Sequence, residues 1–341
     1  MLQLRNPTGL AATAFLSPDP DGVDTLYAVV KGTFALGPDF GRGGEPPLAP
    51  EQTPTALAAT HHGAPGTSSI RMPGDVSLAK PATDVLLTGR AHAPDGRATT
   101  GMTVSLTVGP VHRRVRVVGD RVWVRRLAGY RASDPAPFLR MPLVWERAFG
   151  GTIVVRGSAR AEPRNPVGVG YWEPEAERPR DGCALPNLED PEHPVRSTAL
   201  GPTPACFAPV AEHWAPRCDH AGSYDAAWQR HRAPYLPADF DPRFFQLAPP
   251  GLVAPGYLIG GEPVEVLGAT PNGVLRFTVP RLAVQVTYVV DGAPEPRPAR
   301  LDTVLVQPDN RRVLLTWRAA LACDKRALRV GEIRVAAERA S

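Results

Sequence analysis

Lysine is nearly absent from this chain of 341 residues. Lys31, Lys80 and Lys325 are the only lysines among 38 basic side chains, so 35 are arginine. With 34 acidic residues the net charge is only +4. A surplus that small argues against dedicated nucleic-acid binding unless the arginines cluster. Long apolar runs are missing too, and none approaches the roughly 18 residues of a membrane span. The N-terminus imitates a secretory leader only weakly. Asn6, Pro7 and Gly9 stand where an apolar region should be, and the apolar stretch follows the small residues Ala12-Thr13-Ala14. Cysteine is scarce: Cys183, Cys206, Cys218 and Cys323 are widely spaced with no Cys-x-x-Cys, too sparse for a disulfide framework. The expectation is a soluble, cytoplasmic protein with no membrane and no nucleic-acid partner.

The familiar catalytic signatures are missing as well. No glycine precedes any lysine, so there is no Walker A loop. Neither Gly41-Arg42-Gly43-Gly44 nor Gly168-Val169-Gly170 completes a dinucleotide fingerprint. There is no Gly-x-Ser-x-Gly elbow and no His-Glu-x-x-His. Asp19-x-Asp21-Gly22-x-Asp24 resembles a calcium loop, but Val30 occupies the twelfth position, where a carboxylate is needed. A hairpin turn is the better account. Cys206, His213, Cys218 and His220, with Cys183 upstream, offer zinc-type ligands without the tight pairing of a structural site. They read as partly buried free thiols rather than a metal site or a Cys–His nucleophile, so neither metal nor cofactor is expected. Asp239-x-Asp241 reads as the start of a helical turn, and His61-His62 as a solvated pair.

Proline and glycine are plentiful, with 40 and 32 copies, about a fifth of the chain. So many breakers exclude long helices and favour short strands joined by turns. A hairpin is predicted from Ala11–Leu16 through Pro18–Gly22 into Thr25–Leu36. Further strands are predicted at Asp84–Ala91, Met102–Val108, Val111–Val118, Arg121–Arg126 and Phe138–Phe149. Others follow at Tyr257–Ile259, Val264–Leu267, Gly273–Val279, Leu282–Val290, Leu301–Val306 and Arg311–Arg318. A final pair, Arg326–Val330 and Glu332–Ala336, is split by Gly331. Between Gly157 and about Pro255 the chain is irregular. Ser223 can cap one helical turn carrying Tyr224 and Trp228, and Asp241-Pro242 can open a second. The fold class is mainly β: antiparallel, sandwich-like sheets with a Pro/Gly-rich irregular insert holding one or two short helices. The divisions are an N-terminal β region (1–156), an aromatic-rich insert packing on the sheets (157–255) and a C-terminal β region (256–341), with one continuous domain as the alternative.

One surface stands out. If Gly119-Asp120 is a two-residue turn, Arg114, Arg116, Arg121 and Arg125 gather around Trp123 on one face of a ribbon, and Val115, Val117, Val122 and Val124 on the other. Three accounts fit: the chain's own acids (Glu189, Asp190 and Glu192 are candidates) cover the arginines, the face docks an acidic protein partner, or it contacts nucleic acid.

Nine segments, taken together and in order, resemble the domain-of-unknown-function 2169 family. They are Val30-Lys31-Gly32-Thr33-Phe34, Gly119-Asp120-Arg121-Val122-Trp123, Glu146-Arg147-Ala148-Phe149-Gly150-Gly151, Asn165-Pro166-Val167-Gly168 and Leu185-Pro186-Asn187-Leu188-Glu189-Asp190-Pro191. The rest are Tyr224-Asp225-x-x-Trp228, Asp239-Phe240-Asp241-Pro242-Arg243-Phe244-Phe245, Leu301-Asp302-Thr303 and Thr316-Trp317-Arg318. The chain departs from the pattern at Ala205-Cys206-Phe207-Ala208-Pro209, where Gly-Phe-Gly-Pro is expected, and at Trp145, where tyrosine is usual. The resemblance implies an adaptor or chaperone that binds a type VI secretion toxin, or the spike protein encoded nearby, and helps load one onto the other. It implies no catalysis; the alternative is a hydrolase or other enzyme whose carboxylate or Cys/His site assembles only on folding. The Cys/His spacing predicts that the purified protein carries no stoichiometric zinc. Elemental analysis checks this, and about one zinc per chain, lost when Cys206 and Cys218 become serine, would overturn it.

Overall fold

Two stretches, Asp24–Ala35 and Arg312–Ala322, read as long runs of Val, Leu, Tyr, Phe and Trp with hardly a break. Strands apolar on both sides must be covered on both faces. In the computed structural model, which describes residues 2–37, 43–176, 180–195 and 202–339, they are neighbours at the centre of a five-stranded sheet. Its order is Ala11–Pro18, Asp24–Ala35, Arg312–Ala322, Arg300–Gln307, Asp84–Leu87, antiparallel except for the last pair. A second sheet runs Leu188–Glu189, Val111–Val118, Gly101–Val108, Pro263–Leu267, Val274–Thr278. A third runs Gln3–Arg5, Val330–Arg339, Leu282–Val290, Ala293–Pro298. Strands of these two alternate buried and open positions, as half-covered strands do. One hydrophobic cluster joins all three sheets, and the Tyr288 hydroxyl of the third donates to Ala319 O of the first.

Strand makes up 43% of the described residues and helix 9%, so the chain is mainly β as its breakers require. The sole α-helix among the described residues is Ala226–His231, capped by the Asp225 carboxylate rather than by Ser223. The Asp241-Pro242 start is a short 3-10 turn, Pro242–Phe245. The hairpin at Pro18–Gly22 forms around Asp19, whose carboxylate accepts from the amides of Asp21 and Val23. No helix among the described residues is long and apolar enough to cross a membrane.

Five expectations change. Tyr257–Ile259 is not a strand; only Leu258 forms an isolated bridge, to Leu301. The Asp84–Ala91 run divides into Asp84–Leu87 and Arg90–His92. Phe138–Phe149 breaks into Arg140–Pro142, a 3-10 turn at Trp145–Arg147 and Phe149–Gly150. Residues 326–329 lie in a 3-10 turn, and Val330–Arg339 is one strand in which Gly331 is the extra residue of a bulge opposite Val289 and Val290. Ala293–Pro298, with three prolines, was not expected to be a strand. It sits at a sheet edge, where a missing N–H breaks no ladder. The insert is irregular yet contributes fully buried Cys206, Phe207 and Trp214 to the core. Trp145 Nε1 donates to the carbonyls of Ala208 and Pro209 and holds it there.

The central sheet also carries charge. Lys31 Nζ lies 2.8 Å from Asp75 Oδ2, Lys80 Nζ 2.8 Å from Asp84 Oδ2, and Arg318 Nε 2.8 Å from Asp302 Oδ2. Lys80 also approaches Asp302 at 3.9 Å and donates to Thr303 Oγ1. All six charged groups are buried. Two of the chain's three lysines are therefore spent here, where a compact ammonium reaches two carboxylates and a hydroxyl that a planar guanidinium fork does not match. The space left among them is about 10 Å³, no more than one water needs, so the cluster is a structural tie and not a ligand site. Burial alone would raise the Asp302 carboxyl, but Arg318 and then Lys80 hold it below its ordinary range. A depressed folded pKa stabilises above the unfolded value of about 4, and that contribution is lost as pH falls through the folded pKa. Asp302→Asn is expected to cost about 3–5 kcal/mol at pH 7, since it leaves buried cations short of a partner. Melting curves from pH 7 to pH 2 check this: the gap between variant and wild type should narrow only below about pH 4.

Candidate partner-binding surface

The arginine ribbon does not form. Val111–Val118 pairs with Gly101–Val108 on one side and Leu188–Glu189 on the other, and Trp123–Arg126 pairs with Gly129–Ala132. Gly119 is not a turn residue. A Cβ there would stand 1.7 Å from the carbonyl oxygen of Ala136, so glycine is required by a crossing segment. The chain then runs on beside residues 182–185, with Trp123 N donating to Cys183 O and Leu185 N to Arg121 O. The insert thus wedges between the two arms and supplies an edge to each.

This divides the predicted surface. Arg121 and Trp123 are 8% and 5% exposed and lie inside. Arg121 Nη2 meets Glu189 Oε1 at 2.5 Å and Pro186 O at 2.9 Å, while Arg116 Nη1 reaches Glu189 Oε2 at 3.6 Å. Glu189, itself buried, is the internal acid for both. Arg114, Arg116 and Arg125 remain on the surface. Neighbouring segments close the same region. Asn187 Nδ2 donates to Val118 O and Asp120 Oδ1, and Arg147 reaches both Asp120 and Asn187. Asn165 Nδ2 donates to the carbonyls of Trp145 and Phe149, and Gly150, at φ +145°, leaves no room for a Cβ beside Asn165 O.

The cysteines and histidines of the insert do not converge. Cys206 is fully buried, its thiol pushed up to about 12 by burial and contacting Leu143 O. Cys218 is exposed beside Asp219. His213 accepts from Trp214 Nε1, and His220 lies 3.7 Å from Asp241. Among the described residues no three His, Cys, Asp or Glu side chains group as metal ligands.

A different surface emerges from the segment around 222–245. Ser223 N and Oγ both bond the Asp239 carboxylate, closing a flap that contains the helix Ala226–His231. Trp228 Nε1 donates to Tyr235 O, and Tyr224 packs edge-on against Trp228 at 4.8 Å. Arg232 Nη2 reaches Pro20 O, tying the flap to the hairpin tip of the central sheet, where Tyr235 rests on Gly22. Tyr224 and Tyr235 stay 55% and 42% exposed. At the foot of the flap Phe240, Phe244 and Phe245 pack together with centroids 5.4–5.7 Å apart. Asp241 accepts from Arg243 N and pairs with the Arg243 guanidinium, so this aspartate is a cap, as expected.

Two grooves flank the short hairpin formed by Thr60–His61 and Ile70–Met72. One, of about 730 Å³, lies between that hairpin and Phe244–Phe245, with Leu57, His213 and Arg217 in its wall. The other, of about 610 Å³, includes His62, Arg71, Arg90, Glu146 and Asp309. Its carboxylates are engaged: Glu146 accepts from Ser69 N and Oγ, and Asp309 faces Arg90 and His92. The sequence gives no signal for either groove, because their walls come from residues more than a hundred positions apart.

A layered antiparallel β scaffold carrying an anchored aromatic flap, with a groove at the foot of the flap, is the class of protein that the fold and surface define. The chain belongs to the domain-of-unknown-function 2169 family, whose model, described as an uncharacterized protein conserved in bacteria, matches residues 21–318. Comparison with curated proteins and with solved structures gives no match. Truncation separates buried from exposed members of the original surface. Arg121→Ala, which strands Glu189, and Trp123→Ala are each expected to cost about 3–5 kcal/mol. Arg114→Ala is expected to stay within about 0.5 kcal/mol. Denaturant unfolding of the three variants is the check.

Proposed function

We propose that this protein is a non-enzymatic adaptor or chaperone that binds a type VI secretion toxin and helps load it onto the spike. The aromatic flap carries the reading: Tyr224, Trp228 and Tyr235 are built into a small, fastened element outside the core instead of being packed within it. Aromatic side chains on a rigid support are what protein interfaces use as anchors. Five carboxylates that are occupied in holding the fold also support it. Asp75, Asp84 and Asp302 neutralise buried cations, Glu189 holds Arg121, and Glu146 holds Ser69. Of the original arginine surface, Arg114, Arg116 and Arg125 remain available to a partner.

Affinity capture with the proteins encoded immediately beside it tests the reading. The toxin is expected to be retained, and Tyr224→Ala with Tyr235→Ala should weaken it. A single lost anchor of about 2 kcal/mol corresponds to roughly thirtyfold, while the melting temperature stays within about a degree because both side chains lie outside the core. Failure of the neighbouring toxin to bind would discard the adaptor role.

A further inference from the structure

Five lysine or arginine side chains among the described residues are buried: Lys31, Lys80, Arg121, Arg217 and Arg318. Four of them have a carboxylate oxygen within 2.8 Å. Arg217 has none within 4.0 Å among the described residues, although it is only 7% exposed. Its Nε donates to Phe244 O at 2.9 Å and its Nη1 to Val210 O at 2.7 Å, which fixes the guanidinium beside the Phe244 ring, 5.4 Å from its centroid. Nη2 makes no hydrogen bond among the described residues. Arg217 lines the groove of about 730 Å³. Burial lowers its pKa, and the carboxylates that counter this, Asp84 and Glu212, act only at range.

A charge taken out of water and left unpaired is costly, and the other four buried cations avoid it. The groove around Arg217 is mixed: His61, Ser77, Glu212 and His213 line it together with the apolar Leu57, Ile70, Phe245 and Leu247, and Leu57 is 79% exposed. His213 adds a second donor: its Nε2 accepts from Trp214, which places its proton on Nδ1. Glu212 also lines the groove, but it is exposed and therefore screened, whereas Arg217 acts from a low-dielectric floor.

We propose that this groove binds an acidic, apolar segment of a protein partner, with a carboxylate of the segment on Arg217 Nη2 and its apolar side chains against Leu57 and Phe245. The assignment rests on the reading of this chain as a protein-binding module, and it names the chemistry of the segment bound. A guanidinium held by two carbonyls and an aromatic face presents its remaining donor edge without further ordering, and such charge-assisted bonds are the stronger kind.

The probe is a fluorescein-labelled octapeptide of alternating leucine and glutamate, compared with its leucine–glutamine counterpart by fluorescence anisotropy on the full chain. The glutamate peptide should bind at least tenfold more tightly than the glutamine peptide. Arg217→Gln should abolish that preference. Because Arg217 also braces two carbonyls, Leu57→Asp serves as a second variant: it changes an exposed residue, should leave the melting temperature unaltered, and should weaken the glutamate peptide tenfold or more. No binding of the glutamate peptide, equal binding of the two peptides, or full binding by a folded Leu57→Asp protein would overturn the proposal. Capture of the neighbouring toxin separates this result from the adaptor role. A toxin held equally by wild type and folded Arg217→Gln discards the groove and keeps the adaptor. A preference for the glutamate peptide with no toxin retained does the reverse.

Discussion

Three cations and three carboxylates buried around the central sheet constrain this structure more than any other contact. Removing charge from water costs several kcal/mol per ion unless each meets a partner in good geometry. Here the partners come from distant parts of the chain: Lys31 from the second strand of the central sheet, Asp75 and Lys80 from the connection that follows, Asp302 and Arg318 from the C-terminal strands. Asp84 draws in the insert as well, accepting from Leu247 N, Ala248 N and Gln246 Nε2. The cluster therefore cannot be satisfied until the sheet, the connection and the insert are all in place. It accounts for three of the segments on which the family resemblance rests, those containing Lys31, Asp302 and Arg318.

The remaining segments sort by the same physical test of where their polar groups find partners. Arg121, Asn165, Asn187 and Glu189 form a second closure, between the second sheet and the insert, in which side-chain amides satisfy carbonyls that no ladder reaches. The segments at 224–228 and 239–245 differ. Their hydrogen bonds shape a flap and a cap rather than a core, and their aromatic rings stay partly open to solvent. Scaffold and surface are thus separable within one set of motifs. The groove beside the flap joins the two, because Arg217 is fixed by Phe244 O and Val210 O yet keeps one edge without a partner among the described residues.

Much of the β architecture was legible because period-2 alternation and breaker placement are local properties. Val111–Val118 and Leu282–Val290 occupy their predicted bounds, and Asp19 and Asp241 serve as the turn and cap residues their neighbours imply. The proline-rich edge strand Ala293–Pro298 was illegible because propensity forbids it and only an edge position permits it. The arginine ribbon failed for a related reason. Gly119-Asp120 is compatible with a turn, and nothing local shows that Ala136 passes against Gly119 or that residues 182–189 claim both flanking edges.

By itself the sequence determined the fold class, the strand positions with strong alternation, the turn and cap chemistry and the family, since each depends on neighbours along the chain or on motifs in order. Tertiary structure alone decided which charges are internal. Arg114 and Arg121 are indistinguishable as residues of one basic stretch, yet one is solvated and the other lies buried on Glu189. The same holds for Arg217, which has no carboxylate within ion-pair distance among the described residues although it is buried. Desolvation depends on everything packed around a group, and no spacing along the chain encodes it.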